Sequence, residues 1–253
     1  MTTTRKPQTR KKSTKLNESL PKEIEKSLNF NWSTDFTIKS NFHLTENHKA
    51  FKNACTDTFT KIAFVDGAAG TAKSYLAVLS ALEALKDQKV NNIIYIRSVI
   101  ESASRSLGAL PGEVDDKFLP YAMPLMEKVT EICGESVAGI LKAHGVLHAI
   151  PVNFVRGLTF NNAFVIVDEA QNLTKSELVT ILTRFGKDTH YAICGDCAQS
   201  DIGKLSGFQE IFDAFYRRPD ANNHGIYNFK FEQCDIVRSK ILRYIVDVLD
   251  AKK

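Results

Sequence analysis

Short apolar runs bounded by polar or glycine residues recur along the chain. They cover residues 61–66, 92–97, 163–169 and 190–194, and a more mixed run covers 226–231. Runs of this length that are rich in β-branched and aromatic residues predict strands, and the continuous ones are typical of strands buried on both faces of a parallel sheet. The sequence therefore predicts at least five strands.

Helical periodicity fills the intervals between these runs. Leucines at 76, 79, 82 and 85 share one face of a helix predicted over 72–86. A helix start is predicted near 45–51, with Thr45 or Asn47 as the N-cap. Further helices are predicted at 121–133, 136–148, 174–184 and 235–249, the last with Ile241 facing inward. Alternating strands and helices predict right-handed parallel crossovers, and so a single α/β domain with a mainly parallel sheet flanked by helices.

The chain divides into an arm and one folded domain. Residues 1–25 are polar and lack apolar periodicity, so we expect a disordered arm followed by a domain over 26–253. The less regular stretch near 98–150 is predicted to be a helical insertion beside the sheet.

Charge is concentrated in the arm. The formal net charge is +4, and residues 1–15 hold six basic and no acidic residues. Removing those six from 33 basic residues leaves 27 against 29 acidic ones, so the folded domain is close to neutral. The arm either contacts nucleic-acid phosphates or is a solvated tail.

Composition favours a cytoplasmic protein. No apolar run approaches the roughly 20 residues needed to span a bilayer, and no apolar segment typical of a signal peptide follows the basic N-terminus. Five scattered cysteines favour reduced thiols over a disulfide framework. We therefore expect no membrane association.

A phosphate-binding loop is predicted between the first strand and the helix that follows it. Glycines at 67 and 70 let successive backbone N–H groups point inward at a helix N-terminus, where phosphate binds well. Lys73 would reach the β- and γ-phosphates, and the Ser74 hydroxyl would bind Mg²⁺. The predicted nucleotide-binding residues here are Gly67, Ala68, Ala69, Gly70, Thr71, Ala72, Lys73 and Ser74.

One position departs from the usual P-loop pattern, which has glycine where this chain has Ala72. Alanine is tolerated there if the backbone is near the right-handed helical region. A left-handed conformation would penalise it.

Two carboxylates end the apolar run at 163–167. Asp168 suits a magnesium ligand, direct or through water, and Glu169 suits a group that orients or deprotonates an attacking water. Gln199 follows the next strand together with Asp196, at the same predicted sheet edge. Its amide is predicted to contact the γ-phosphate, with a solvated loop amide as the alternative.

Several segments carry a family resemblance. They are 67–74 (GAAGTAKS), 107–112 (LGALPG), 155–160 (VRGLTF), 167–174 (VDEAQNLT), 182–186 (LTRFG), 195–196 with 199–201, and 235–238 (DIVR). In this order they resemble the PhoH-like family of single-domain P-loop ATPases, which is related to the core of superfamily 1 helicases. The similarity covers about residues 44–245.

The resemblance implies a RecA-like fold and Mg²⁺-dependent binding and hydrolysis of ATP. It also implies a helicase-like coupling to RNA or single-stranded DNA, and a homo-oligomer for which a hexameric ring is one form. Two more departures stand beside Ala72. His48, in the segment expected to contact adenine, replaces a common glutamine, and Leu158 replaces a common arginine.

A single helicase-like domain lacks the second domain that usually supplies an arginine to the γ-phosphate. A neighbouring subunit could supply it, and Arg238 and Arg184 are the candidates. Arg238 is the stronger of the two for a position near phosphate, in the same subunit or across an interface.

Two other functions compete with a nucleic-acid-coupled ATPase. One is a nucleotide-gated assembly or regulatory protein with slow or no turnover, which Ala72 would permit. The other is a small-molecule kinase, which is disfavoured because no acceptor-binding lid is recognisable and Glu169 suits water activation better.

Overall fold

A computed structural model describes residues 35–39, 43–98 and 114–237, together with Ile241, Tyr244 and Val248. Side chains are described from residue 121 onward in the segment that begins at 114. The predicted arm at 1–25 and the candidate Arg238 lie outside the described residues.

Strands and helices alternate through the described part of the chain. The strands are β1 (Ile62–Gly67), β2 (Asn92–Arg97), β3 (Leu147–Pro151), β4 (Ala163–Asp168), β5 (His190–Gly195) and β6 (Ile226–Phe231). The helices are α1 (Glu46–Thr56), α2 (Lys73–Lys86), α3 (Val114–Cys133), α4 (Glu135–Ala143), α5 (Lys175–Leu182) and α6 (Phe208–Tyr216).

The strands form one six-stranded sheet in the order β3-β2-β4-β5-β1-β6. Every neighbouring pair is parallel. The prediction of a single α/β domain with a parallel sheet flanked by helices is confirmed, and the arrangement is that of a RecA-like P-loop fold. Because all strands run the same way, their carboxyl ends meet at one edge.

Two apolar clusters cover the two faces of the sheet. Alternate residues of β1 divide between them: Val65 packs in the cluster with helices α1 to α4, and Phe64 packs in the cluster with α5 and α6. All six residues of β4 are buried, as expected of a central parallel strand. Because both faces of the sheet are buried, the register of its strands is fixed, and so is the position of each strand end at the carboxyl edge.

Capping residues set where two helices begin. Thr45 is the N-cap of α1, where its side chain accepts from the His48 N–H in a capping box, so of the two predicted candidates Thr45 is the cap. Thr174 caps α5 in the same way through Glu177, at the start of the helix predicted over 174–184.

Three predictions about secondary structure need correction. The helix predicted over 136–148 ends at Ala143, and Leu147–Pro151 is an edge strand paired with β2, so this stretch contributes to the sheet as well as lying beside it. Helix α6 was not predicted. Ile241, predicted to face inward, is 63% exposed, and a 3-10 turn over Gln233–Asp235 precedes the C-terminal helical residues.

The part of the chain that the structure covers contains no helix with the length and apolar character needed to cross a bilayer.

Candidate nucleotide-binding site

A cleft of about 780 Å³ opens at the carboxyl edge of the sheet. The P-loop, the ends of β2, β4 and β5, helix α3 and Val237 form its walls. Eight predicted site residues line it: Ala69, Gly70, Ala72, Lys73, Ser74, Asp168, Glu169 and Gln199. The structure thus brings together P-loop and carboxylate residues that lie about a hundred positions apart in sequence.

Close packing explains the first glycine of the loop. A Cβ added to Gly67 would lie 2.8 Å from the Cβ of Phe231 on β6, a distance that side-chain carbons do not adopt. Gly70 has a φ of 87°, in the region that glycine enters without penalty. Ala68 completes the turn, with its carbonyl accepting from the Thr71 hydroxyl at 2.8 Å.

Ala72 has a left-handed backbone, with φ 61° and ψ 20°, immediately before α2. Of the two alternatives posed by the sequence, the penalised one is therefore realised. A left-handed conformation costs an L-residue about 1–2 kcal/mol relative to glycine. The loop is held in this shape by its surroundings at the expense of local strain.

The Lys73 ammonium is bound by the loop itself. Its Nζ donates to the Gly67 carbonyl at 2.5 Å and to the Ala68 carbonyl at 2.9 Å. The positive charge is thereby held at the end of the cleft formed by the P-loop. That is where a lysine would meet phosphate oxygens in a P-loop site.

Ser74 and Asp168 meet directly. The Ser74 hydroxyl donates to Asp168 Oδ1 at 2.5 Å, and the Tyr95 hydroxyl donates to Asp168 Oδ2 at 2.5 Å. Asp168 is 4% exposed, so its oxygens depend on protein donors for their hydrogen bonds. Burial and the charge of Asp168 raise the pKa of Tyr95 well above its usual value. The tyrosine thus stays a hydrogen-bond donor at any physiological pH.

Glu169 adopts a left-handed conformation, with φ 54° and ψ 42°, where the chain turns out of β4. Gln171 Nε2 donates to Glu169 Oε2 at 2.6 Å, and Arg97 Nη2 lies 3.9 Å from Glu169 Oε1. Strained backbone of this kind gathers at functional sites. The turn aims the Glu169 carboxylate at the cleft, and Gln171 fixes its orientation.

The loop after β5 is fastened to the turn after β4. The Asp196 N–H donates to Gln171 Oε1 at 3.1 Å, and the Ser200 hydroxyl donates to the Gln171 carbonyl at 2.9 Å. Asn172 and Asp201 add two reciprocal bonds, each of 2.9 Å. Gln199 is exposed at the cleft, and the loop that holds it is therefore hydrogen-bonded to the turn that holds Glu169.

His48 lies behind the P-loop. Its ring is fully buried, with Nε2 3.1 Å from the Thr71 carbonyl and Nδ1 3.2 Å from the Thr45 nitrogen. Since a carbonyl accepts and an N–H donates, Nε2 carries the proton and the ring is neutral. Burial lowers the pKa of His48. The expected contact of His48 with adenine stays a prediction, and the observed contact is with the Thr71 carbonyl of the P-loop.

The segment before Arg238 is tied to the same place. Asp235 is fully buried and accepts from the Thr45 hydroxyl at 2.5 Å and from Asn47 Nδ2 at 2.8 Å. The Val237 N–H donates to the Gly70 carbonyl at 3.2 Å. These bonds bring the chain to the P-loop immediately before Arg238, which itself lies outside the described residues.

Arg184 lies away from the cleft. Its carbonyl accepts from the N–H of Phe160, just before β4 begins, so it is at the amino edge of the sheet. Within one subunit it is therefore remote from Lys73 and Glu169. Only across an interface could Arg184 meet the nucleotide of another subunit.

Sequence reasoning missed three residues of the site: Tyr95, Arg97 and Gln171. A signal existed for two of them. Arg97 ends the predicted strand at 92–97 just as Asp168 ends the strand at 163–168, and Gln171 follows the two carboxylates by two positions. Tyr95 had no local signal, because its role depends on β2 lying beside β4.

Comparison with known proteins agrees with this geometry. The family model described as PhoH-like protein matches residues 43–250. A PhoH-like protein of Bacillus subtilis is 35% identical over 191 residues, covering 75% of this chain and 58% of that protein. A PhoH-like protein of Mycobacterium tuberculosis is 35% identical over 188 residues, covering 74% and 52%.

Protein PhoH of Escherichia coli is 35% identical over 185 residues, covering 72% of this chain and 51% of that protein. The matched part of this chain thus spans between half and three fifths of the length of these relatives. Because the family model covers more than half of the chain, in a span that includes the P-loop and the carboxylate pair, the chain belongs to the PhoH-like family.

Proposed function

We propose that the protein is a magnesium-dependent ATPase whose turnover is coupled to single-stranded nucleic acid. One observation carries the ATPase proposal: Lys73 and Ser74 of the P-loop face Asp168 and Glu169 across a single cleft, with Ser74 and Asp168 in direct contact. This pairing of a phosphate-binding loop with an acidic strand end is the arrangement that phosphoryl-transfer sites use.

The residues present fit ATP and Mg²⁺. Ser74 Oγ and Asp168 Oδ1 are hard oxygen ligands at the end of the loop, and one carboxylate with a hydroxyl is the usual protein share of a magnesium site in a P-loop protein. The loop glycines and the α2 N-terminus fit phosphate oxygens. When bound, Mg²⁺ supplies charge neutralisation at the β- and γ-phosphates.

The residues divide the hydrolysis between them. Glu169 accepts a proton from a water whose oxygen forms a bond to the γ-phosphorus, and the proton then passes to phosphate or solvent. The bond between that phosphorus and the β–γ bridging oxygen breaks, and ADP leaves with the electron pair. Lys73 holds the phosphates, and the proposed role of Gln199, which lines the cleft, is to contact the γ-phosphate.

Exposed groups at the same sheet edge support a nucleic-acid partner. Phe154, 61% exposed, and the exposed Arg156 follow β3, and Leu158 beside them is 39% exposed. An aromatic ring next to a cation is what sequence-tolerant binding of single strands uses. We place RNA or single-stranded DNA there, with base stacking on Phe154 and a phosphate at Arg156.

A homo-oligomer, such as a hexameric ring, belongs to the same proposal. What supports it is the position of Arg184 at the sheet edge opposite the cleft, from which it can serve only the site of a neighbouring subunit. Its test is the molar mass in solution with and without ATP, since a chain that stays monomeric with bound nucleotide would exclude such a role.

The second candidate, a nucleotide-gated binding protein with slow turnover, is favoured by the left-handed Ala72. Strain in the loop can lower the population of the shape that binds phosphate. The two functions predict different behaviour on binding ATP: the first turns it over, and the second changes assembly without releasing phosphate.

Steady-state phosphate release with ATP and Mg²⁺ separates them. It is measured with single-stranded RNA, with single-stranded DNA and without either, and with Phe154→Ala as the variant at the proposed nucleic-acid surface. Stimulation by one of the strands that falls in this variant supports coupling. Turnover that no strand changes excludes the coupling, and tight ATP binding without phosphate release favours the second candidate.

A further inference from the structure

Arg97 ends β2 at the level of the site carboxylates. In the parallel register of β2 and β4, its Cα is the partner of the Asp168 Cα. The two strand ends are neighbours at the carboxyl edge, so the Arg97 side chain leaves the sheet at the same level as Asp168 and Glu169. Its side chain is 37% exposed and lines the cleft.

The ion pair of Arg97 is loose. Nη2 lies 3.9 Å from Glu169 Oε1, which is beyond hydrogen-bond distance. The other oxygen of Glu169 is held by Gln171 at 2.6 Å. Glu169 therefore keeps its orientation when the guanidinium turns toward another anion in the cleft.

Charges in the cleft single out Arg97. Among the described lining residues, the cations are Lys73, Lys128 and Arg97, and the carboxylates are Glu127, Glu131, Asp168, Glu169 and Asp196. Lys73 is held at the loop end by the carbonyls of Gly67 and Ala68, and Lys128 Nζ donates to the Pro124 carbonyl of its own helix at 3.5 Å. The cation beside Glu169 is Arg97.

We propose that Arg97 is a catalytic residue acting within its own subunit. Its guanidinium donates to a γ-phosphate oxygen while the water that Glu169 deprotonates attacks the γ-phosphorus. This inference rests on the proposed ATPase function. A planar guanidinium matches phosphate oxygens better than an ammonium does. A cation at this position in phosphoryl transfer is worth about 10³- to 10⁵-fold in rate.

Nucleotide affinity tests the contact without any turnover. Calorimetric titration with ADP and with the non-hydrolysable β,γ-imido analogue of ATP is carried out on the wild type, Arg97→Ala and Arg97→Lys. Arg97→Ala is expected to weaken the analogue by about tenfold, the effect of one charge-assisted bond, and to leave ADP within about twofold. Arg97→Lys should lie between. Arg217→Ala, which removes an exposed arginine paired with Asp213 outside the cleft, is the control.

Equal effects on both nucleotides, or no effect on either, would overturn the proposal. This result is independent of catalysis. If the wild type releases no phosphate, the proposed ATPase function fails, and the ratio of the two affinities still decides whether Arg97 contacts the γ-phosphate.

Mixed subunits test the action within one subunit. Arg97→Ala and Glu169→Gln proteins are mixed and their phosphate release is compared with the sum of the two measured separately. If Arg97 serves its own site, each subunit remains defective and the mixture equals the sum. Recovery above the sum would mean that Arg97 acts across an interface, which contradicts the proposal. The mixture of Arg184→Ala with Glu169→Gln provides the comparison for an arginine acting on a neighbour.

Discussion

The Ser74 hydroxyl donates a hydrogen bond to Asp168 Oδ1 at 2.5 Å, although the two residues are 94 positions apart in sequence. This bond joins the first turn of α2 to the end of β4. Tyr95 holds the second oxygen of the same carboxylate from β2. Three elements of the α/β domain thus meet at one buried carboxylate, and this carboxylate lines the cleft.

Tyr95→Phe should destabilise the fold. The substitution keeps the ring, 1% exposed, and removes the donor to Asp168 Oδ2. Loss of a hydrogen bond to a charged group costs about 1.5–3 kcal/mol. Urea unfolding of the variant should show that decrease in the free energy of unfolding.

Tyr191→Phe is the matched control. Tyr191 is also a buried strand tyrosine, but its hydroxyl donates to the neutral Ile181 carbonyl at 3.2 Å. The expected loss there is about 0.5–1.5 kcal/mol. Equal losses in the two variants would contradict a special dependence of Asp168 on Tyr95.

Ala72→Gly should stabilise the protein. Glycine removes the left-handed penalty of about 1–2 kcal/mol. Its greater conformational freedom in the unfolded chain lowers the free energy of unfolding by about 0.4–1 kcal/mol and so offsets part of that gain. The net expectation is a gain of about 0.5–1 kcal/mol, measured by urea or thermal unfolding. Ala214→Gly, at an exposed position within α6, should instead lose about 1 kcal/mol. A loss at both positions would mean that the Ala72 backbone is not strained.

Stability should fall as the pH drops below about 6.5, the ordinary histidine pKa. Burial lowers the pKa of both His48 and His190 in the folded state. The unfolded chain therefore binds more protons in this range, and the stabilisation present above that pH is lost as the pH falls toward the folded-state values.

His48→Gln should reduce this pH dependence and preserve the fold at neutral pH. A glutamine carbonyl can accept from the Thr45 N–H, and its amide can donate to the Thr71 carbonyl, as the neutral ring does. The measurement is urea unfolding between pH 5 and pH 7.5 for both proteins. An unchanged slope in the variant would show that His48 does not titrate on unfolding.

Gln171→Ala should lower kcat and leave the KM for ATP nearly unchanged. The amide fixes one oxygen of Glu169 and also accepts from the Asp196 N–H. A misplaced catalytic group costs up to about 10²-fold in rate. Steady-state kinetics checks this. Gln199 lies at the cleft and does not hold Glu169. Gln199→Ala should therefore change kcat and KM in a different proportion. Unaltered kcat in Gln171→Ala would remove the positioning role.

Much of the architecture follows from local patterns. The buried strands β1, β4 and β5 appear as continuous apolar runs. The P-loop and the Asp168-Glu169 pair are each recognisable from a few consecutive residues. Edge strand β3 escaped prediction because it is only partly buried and combines His148 with Pro151, a residue common at sheet edges. Helix α6 carried a recognisable 3–4 spacing at Phe208, Ile211 and Phe212.

The rest of the site depends on which strands are neighbours. Arg97 and Tyr95 reach the carboxylates only because β2 pairs with β4, although β3 lies between them in sequence. The burial of the His48 ring likewise depends on a residue distant in sequence, because the ring packs edge-on against Phe231 of β6. Tyr95 and His48 carry no local signal of these contacts, whereas Arg97 is recognisable in the sequence as a cation at a strand end.

The comparison of Glu169→Gln with the wild type shows whether this cleft hydrolyses ATP. Binding of ATP by calorimetry and phosphate release with Mg²⁺ are measured on both proteins, with Lys73→Ala as the variant expected to lose binding and turnover together. We expect Glu169→Gln to bind ATP as the wild type does and to release phosphate more slowly by about 10²-fold or more. Phosphate release at the wild-type rate from Glu169→Gln would contradict the assignment of this cleft as the site of ATP hydrolysis.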